Sequence, residues 1–283
     1  MTHIPYPISP TKQATTNKSS PPTIKMLKIV EQPNSQLRVH NTPNNLDKPL
    51  APDIPSPLPS YSGFNMLITG SSGSGKSTFL YSIMSKRKKN GIRQSYRGVF
   101  DKVYIISPTM GKNSISNDPF KTIPENQIWR SLSKEGLDEL DEMLDENRAE
   151  GLNSVVILDD VGSQIKKSAA IEKKLTSLMQ NRRHQFTSFI TLLQRLRDAN
   201  TGIRNNLSHF ITFRPKNRPE QEAITNELMP FDNKKNAQIL THIFDNENSK
   251  FPFMFVDMSL KHSNKYRFFS GFNPLILDDE VPP

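Results

Sequence analysis

Cysteine is absent from the 283 residues, which excludes disulfides, thiolate nucleophiles and cysteine-ligated zinc and gives no sign of an oxidising compartment. The six histidines show no metal-ligand spacing. No apolar run approaches the roughly 18–20 residues that a membrane span needs, and the start of the chain lacks the charged-then-apolar order of a signal peptide. Internal repeats are absent as well. The expectation is a soluble intracellular protein without a membrane span. Positive charge is in moderate excess, 37 Lys and Arg against 28 Asp and Glu, a net charge of +9. That balance favours a polyanionic partner, nucleic acid or an acidic membrane surface, but does not by itself identify DNA.

Residues 1–60 hold 12 of the 22 prolines together with many Ser, Thr and Asn. Such a composition buries too little apolar surface to offset chain entropy, so this segment is expected to be a flexible, disordered arm. Within it, 24–30 has the composition to become ordered against a neighbour, and 49–59 reads as an extended, polyproline-like lead-in. The remainder, 61–283, is long enough for one medium-sized domain with its own core.

From Gly63 onward short apolar runs alternate with helical periodicity. Strands are expected at 64–69, 103–107, 154–159, 188–193 and 209–213, and helices at 78–88, 137–148 and 171–182, with Ser133 available as an N-cap before the second helix. Two more helical stretches, 220–229 and 236–244, precede strands at 253–258 and 266–269 that would pair as an edge hairpin. Repeated strand-helix units of this kind make an α/β fold, a mostly parallel central sheet flanked by helices.

Between the first strand and the first helix stands Gly70-Ser71-Ser72-Gly73-Ser74-Gly75-Lys76-Ser77, which satisfies G-x-x-x-x-G-K-[ST]. Its glycines let the loop wrap phosphate while backbone N–H groups and the helix N-terminus face the negative charge. Lys76 then reaches the outer phosphates, Ser77 coordinates Mg²⁺, and Thr78 supports the helix start. The pattern predicts binding of ATP or GTP.

The run Val155-Val156-Ile157-Leu158-Asp159-Asp160 has four aliphatics ending in two acids, as a buried central strand needs if it is to deliver carboxylates beside the phosphate loop. Asp159 is the candidate for the Mg²⁺ shell and Asp160 for the base that polarises the attacking water. A paired acid of this kind points to hydrolysis and not only to binding. The apolar strand 188–193 is followed by Gln194, placed to sense the γ-phosphate or orient water if its strand lies next to the loop. Arg182 and Arg183 before that strand, and Arg204 after it, are candidates for an arginine finger reaching the nucleotide of a neighbouring subunit, although cations at a helix C-terminus also complement its dipole. The densest basic cluster, Lys86-Arg87-Lys88-Lys89 with Arg93 and Arg97, has the same two explanations, DNA contact or a solvated helix end.

In order along the chain, the phosphate loop, Asp159-Asp160, Arg182-Arg183-His184 leading to Gln194, and Arg204-Asn205-Asn206 resemble the FtsK-HerA lineage of P-loop ATPases. With Ile106-Ser107-Pro108-Thr109, the nearest resemblance is to the poxvirus-type genome-packaging ATPases of large DNA viruses and virophages. It covers about 63–215 and leaves the proline-rich arm outside. The resemblance implies a RecA-like core, ATP with Mg²⁺, and a homo-oligomeric ring of six subunits. It also implies translocation of double-stranded DNA into a preformed capsid, capsid or portal proteins as partners, and residence in the host cytoplasm, the viral factory or the virion. By position it makes Lys76 and Ser77 the phosphate and Mg²⁺ ligands, Asp159 the Walker B acid, Gln194 the sensor, and Arg182 or Arg183 the finger. Cellular members usually carry Glu where this chain has Asp160, which puts the role of that residue as base in doubt. The competing readings are another P-loop enzyme, a nucleotide kinase or helicase-type ATPase, and a nucleotide-gated capsid-assembly protein with little turnover.

Overall fold

Aliphatic and aromatic runs become the strands of one nine-stranded sheet, ordered β3-β2-β4-β5-β1-β6-β7-β8-β9. The computed structural model describes residues 48–85, 95–109, 118–229, 233–245, 251–259 and 267–276, all within the unit Asn44–Pro283. Residues 1–47, the stretch 24–30 among them, the basic cluster Lys86–Lys89 with Arg93, and Tyr266 lie outside the described residues. The strands are β1 (Asn65–Thr69), β2 (Lys102–Ile106), β3 (Ile128–Trp129), β4 (Ser154–Asp159), β5 (Thr187–Leu193), β6 (His209–Phe213), β7 (Phe253–Asp257), β8 (Phe268–Ser270) and β9 (Asn273–Pro274). The first six run parallel to their neighbours, and β6 through β9 pair antiparallel. The two strands expected as an edge hairpin, β7 and β8, thus close one side of the sheet together with β9.

Every residue of β1, β5 and β6 is buried, as strands covered on both faces require. The period of two divides their side chains between two cores. Leu67, Val156, Leu158, Phe189, Leu193 and Phe210 enter one, and Met66, Ile68, Val155, Ile157, Ile190 and Ile211 the other. On the first face lie α2 (Lys134–Ala149), α3 (Gly162–Lys167), α4 (Ala169–Asn181), α5 (Thr201–Asn205), α6 (Arg218–Leu228) and α7 (Asn233–Phe244). The second face is covered by α1 (Lys76–Ser85) and the segment around Tyr96. Ser133 caps α2 as expected, accepting the Gly136 N–H at 3.0 Å, and Leu137, Leu140 and Leu144 form its buried stripe. The sequence reading misses β3, α3, α5 and β9, which at two to six residues are too short to display a repeating pattern.

The stretch 49–59 is not the extended lead-in that its prolines suggest. It folds back on itself, with Leu50 N–H donating to Ser60 O at 2.8 Å and Ser62 N–H to Lys48 O at 2.9 Å. Its apolar residues supply the reason: Leu58 is buried, Leu50 and Ile54 pack on the second core, and the Tyr96 hydroxyl donates to Pro59 O at 2.8 Å.

At the start of β6, His209 is buried between the rings of Phe64 and Phe255, 6.2 and 5.9 Å away. Its Nδ1 meets Ser208 Oγ at 2.9 Å and its Nε2 stands 3.6 Å from Asp257 Oδ1. Burial pushes the imidazole down from the ordinary 6.5 to about 4, against the opposing pull of Asp257. The unfolded chain therefore takes up a proton near pH 6.5 that the folded chain refuses until about pH 4, so this residue lowers stability as pH falls through that window. The urea midpoint is expected to drop between pH 7 and pH 5, and His209→Gln to flatten that drop. An unchanged slope would show that His209 does not titrate differently on folding.

Candidate functional site

The site forms where β1, β5 and β4 end side by side, with β5 in the middle. After Thr69 the chain turns through Gly70, whose φ is +155° and where a Cβ would stand 2.5 Å from Ser74 Oγ and 2.9 Å from Phe213 Cβ. No side chain fits there, so Gly70 lets the loop close tightly over the strand end. Gly70 N–H donates to Leu193 O at 3.3 Å, which ties the loop to β5. Lys76, the first residue of α1, points back into the loop and donates to Gly70 O at 2.6 Å and Ser71 O at 3.0 Å. Burial lowers its pKa, opposed by Asp159 and then by Asp160, so both acids act electrostatically on this ammonium.

Asp159 ends β4. Burial foremost and the neighbouring Asp160 raise its pKa, while Lys76 and Ser107 pull it down. Ser107 Oγ lies 3.5 Å from Asp159 Oδ2 and 3.1 Å from Thr109 Oγ1, so the Ser-Pro-Thr segment after β2 borders the Asp159 carboxylate. Asp160 has φ +55°, and its N–H donates to Leu192 O at 3.3 Å. Gln194 follows β5 directly, and its Nε2 donates to Asp160 Oδ1 at 3.5 Å. The phosphate loop, Asp159, Asp160 and Gln194 are therefore brought together.

Two observations fit this loop to a phosphate chain. Ser74 Oγ is buried without a hydrogen-bond partner among the described residues. The Lys76 ammonium rests on loop carbonyls that a phosphate oxygen can replace. Lys76 and the loop N–H groups would hold the phosphates, and Ser77 with Asp159 the Mg²⁺, whose contribution is to neutralise charge on the phosphate oxygens. Ser72, Gly73, Ser77 and Thr78 are exposed, while Ser71 and Gly75 are half-buried.

Arg182, Arg183 and Arg204 lie elsewhere. Arg182 and Arg183 precede β5 and Gln194 follows it, and a strand of that length separates them by about 20 Å. Arg182 donates from Nε to Gly63 O at 2.8 Å and from Nη1 to Met179 O at 2.6 Å. Its pKa is lowered to about 10, by burial first and by Arg183 second. Arg183 packs its Cα and Cγ against Gly63, where φ is +76° and a Cβ would stand 2.9 Å from that Cγ. Arg204, in α5 before β6, donates from Nη1 to Ala199 O at 2.5 Å and pairs through Nε with Glu227 at 2.6 Å. Arg182 and Arg183 therefore sit at the edge of the sheet opposite its phosphate loop.

Sequence reasoning did not find Arg195, Lys216, Asn217 and Glu220, which with Gly70, Ser71, Ser72 and Gln194 line a cleft of about 290 Å³. Their signal is positional: like Gln194, Arg195, Lys216 and Asn217 follow the C-terminal ends of parallel strands. Glu220 Oε1 accepts the Leu196 N–H at 2.6 Å, and burial foremost raises its pKa.

A phosphate loop on one parallel strand and a pair of acids two strands away, with an amide-bearing strand between them, make this chain a P-loop ATPase with a RecA-like core. More narrowly, it belongs to the Poxvirus A32 protein family, which matches residues 60–269. Among solved structures it is similar to B204, the DNA-packaging ATPase from Sulfolobus turreted icosahedral virus, at 15% identity over 70% of this chain and 93% of that one, with a TM-score of 0.49. It is also similar to ATPases 2 and 3 of EssC from Geobacillus thermodenitrificans, at 16% identity over 60% of this chain and 35% of that one, with a TM-score of 0.42. No curated protein sequence matches it.

Proposed function

We propose that this protein hydrolyses ATP to drive double-stranded DNA into a viral capsid, acting as a homo-oligomeric ring of six copies docked on capsid or portal proteins. The observation that carries the reading is the convergence of the phosphate loop with Asp159, Asp160 and Gln194 at one sheet edge, in a chain of the A32 family. In this reading Lys76 and the loop bind the phosphates, and Ser77 and Asp159 hold Mg²⁺. Asp160 takes the proton of the attacking water and Gln194 orients that water. An arginine of one copy, drawn from Arg182, Arg183 and Arg204, completes the site of the next; Arg182 and Arg183 stand a strand's length from their own loop. The net charge of +9 supports a polyanionic cargo followed by its phosphates and not by its sequence. No helix among the described residues is long and apolar enough to cross a membrane; the proposed place of action is the host cytoplasm or viral factory. The ATPase domain would comprise 61–283 together with 48–60, which pack on its second core, leaving at most residues 1–47 as an arm outside it.

The test is steady-state ATP hydrolysis by the purified full chain with and without long duplex DNA. Duplex DNA is expected to raise turnover several-fold, with the stimulation fading between about 50 and 200 mM salt as counterions compete for the phosphates. Turnover indifferent to duplex DNA but raised by a nucleoside monophosphate would identify a kinase instead.

A further inference from the structure

We infer that Asp198 is a positioning residue that sets Gln194 against Asp160, an inference that rests on the catalytic reading of those two residues. Asp198 closes the short turn Leu196–Asp198 just beyond Gln194, and its side chain is only 11% exposed. Its Oδ2 accepts the backbone N–H of Arg195 at 3.1 Å and so holds the peptide that directly follows Gln194. Its Oδ1 accepts Lys166 Nζ at 2.6 Å and faces Arg195 Nη2 at 3.3 Å. Lys166 belongs to α3, the helix that begins at Gly162, two residues after Asp160. The start of that helix also touches Asp198, since a Cβ on Gly162 would stand 3.2 Å from Asp198 Cβ.

One carboxylate is therefore bonded on one side to the chain leaving Gln194 and on the other to the helix leaving Asp160. Capping the turn requires only the Arg195 N–H, and the arm to Lys166 adds nothing to it. What that arm does is join the ends of β4 and β5 beyond the long contact of 3.5 Å between Gln194 and Asp160. A reacting geometry is sensitive to such ties, because a displacement of about 1 Å can cost on the order of 100-fold in rate. Glu220 holds the same turn through Leu196, but towards α6 and not towards the acids.

The experiment compares ATP hydrolysis by the full chain with Asp198→Asn, Lys166→Met and the double variant, alongside the affinity for a non-hydrolysable ATP analogue. Each single change is expected to lower kcat by about tenfold while KM and analogue affinity stay within about twofold, because the phosphate loop is untouched. The double variant is expected to be no slower than the slower single one, since both remove the same tie. The Lys166 side chain is 50% exposed, so Lys166→Met keeps the test decisive even if Asp198→Asn melts early. Unchanged kcat in Lys166→Met, losses that multiply in the double variant, or an equal loss of analogue affinity would overturn the inference while leaving the site reading intact. A wild-type chain with no turnover would overturn both.

Discussion

Lys76→Ala is expected to reduce ATP turnover by about 1000-fold and to leave the fold in place. Lys76 is the residue through which the loop and the acids act on each other. Its ammonium is half-buried, bonded to Gly70 O and Ser71 O, and within the field of Asp159 and Asp160. Without it a triphosphate entering the loop would meet the two carboxylates with no lysine between, so binding should weaken together with turnover. Stability should change little, because removing an ammonium whose pKa burial already depresses relieves a desolvation cost while two hydrogen bonds are lost. ATP with Mg²⁺ should raise the melting midpoint of the wild-type chain and leave that of the variant unmoved, as linkage requires when affinity is lost. Equal stabilisation of both by ATP, or turnover within tenfold of wild type, would place the nucleotide elsewhere.

The parts of this site that were legible in the sequence are those that chemistry forces into adjacent positions. A loop that wraps phosphate needs its glycines and its lysine within a few residues, and 70–77 announces itself without any knowledge of the fold. The central strands were legible because burial on both faces leaves unbroken apolar runs, as in 155–158. The groups that orient these residues were not, because each acts across elements. Ser107 reaches Asp159 from β2, Glu220 reaches Leu196 from α6, and Asp198 reaches Lys166 in α3. Nothing in the spacing of 107 and 159, or of 166 and 198, marks them as partners.

The arginines show the converse case, where the residue type was visible but its contacts were not. A helix that leaves a parallel strand runs back along it, so the end of α4 returns Arg182 and Arg183 to the edge where β5 begins. That rule is available from the sequence once 171–182 is read as a helix between two strands, and it sets these cations apart from their own loop, as a finger offered to a neighbouring subunit requires. The segment 48–62 carried a conflicting pattern, many prolines but also Leu50, Ile54 and Leu58. Composition argued for extension, and the burial of Leu58 with the packing of Leu50 and Ile54 on the core prevailed.

Asp160→Asn is expected to lower kcat by about 1000-fold with nucleotide affinity unchanged or slightly tighter. The position makes this substitution unusually clean. At φ +55° Asp and Asn are the favoured residues apart from glycine, so the backbone gains no strain from the exchange. The amide retains an Oδ1 that can accept from Gln194 Nε2, so Gln194 keeps its partner and only the charge and basicity are removed. Losing that charge also lessens the repulsion felt by Asp159 and by an incoming phosphate, which is why affinity should not fall. The same backbone angle gives a physical reason for an aspartate and not a glutamate at this position. A glutamate at φ +55° would bear about 1 kcal/mol of backbone strain and carry its carboxylate one carbon further from Gln194. Asp160→Glu should therefore turn over faster than Asp160→Asn but slower than wild type, and single-turnover hydrolysis with the nucleotide prebound measures this order directly. Turnover by Asp160→Asn within threefold of wild type would show that another group takes the proton and that Asp160 serves the site through its backbone conformation.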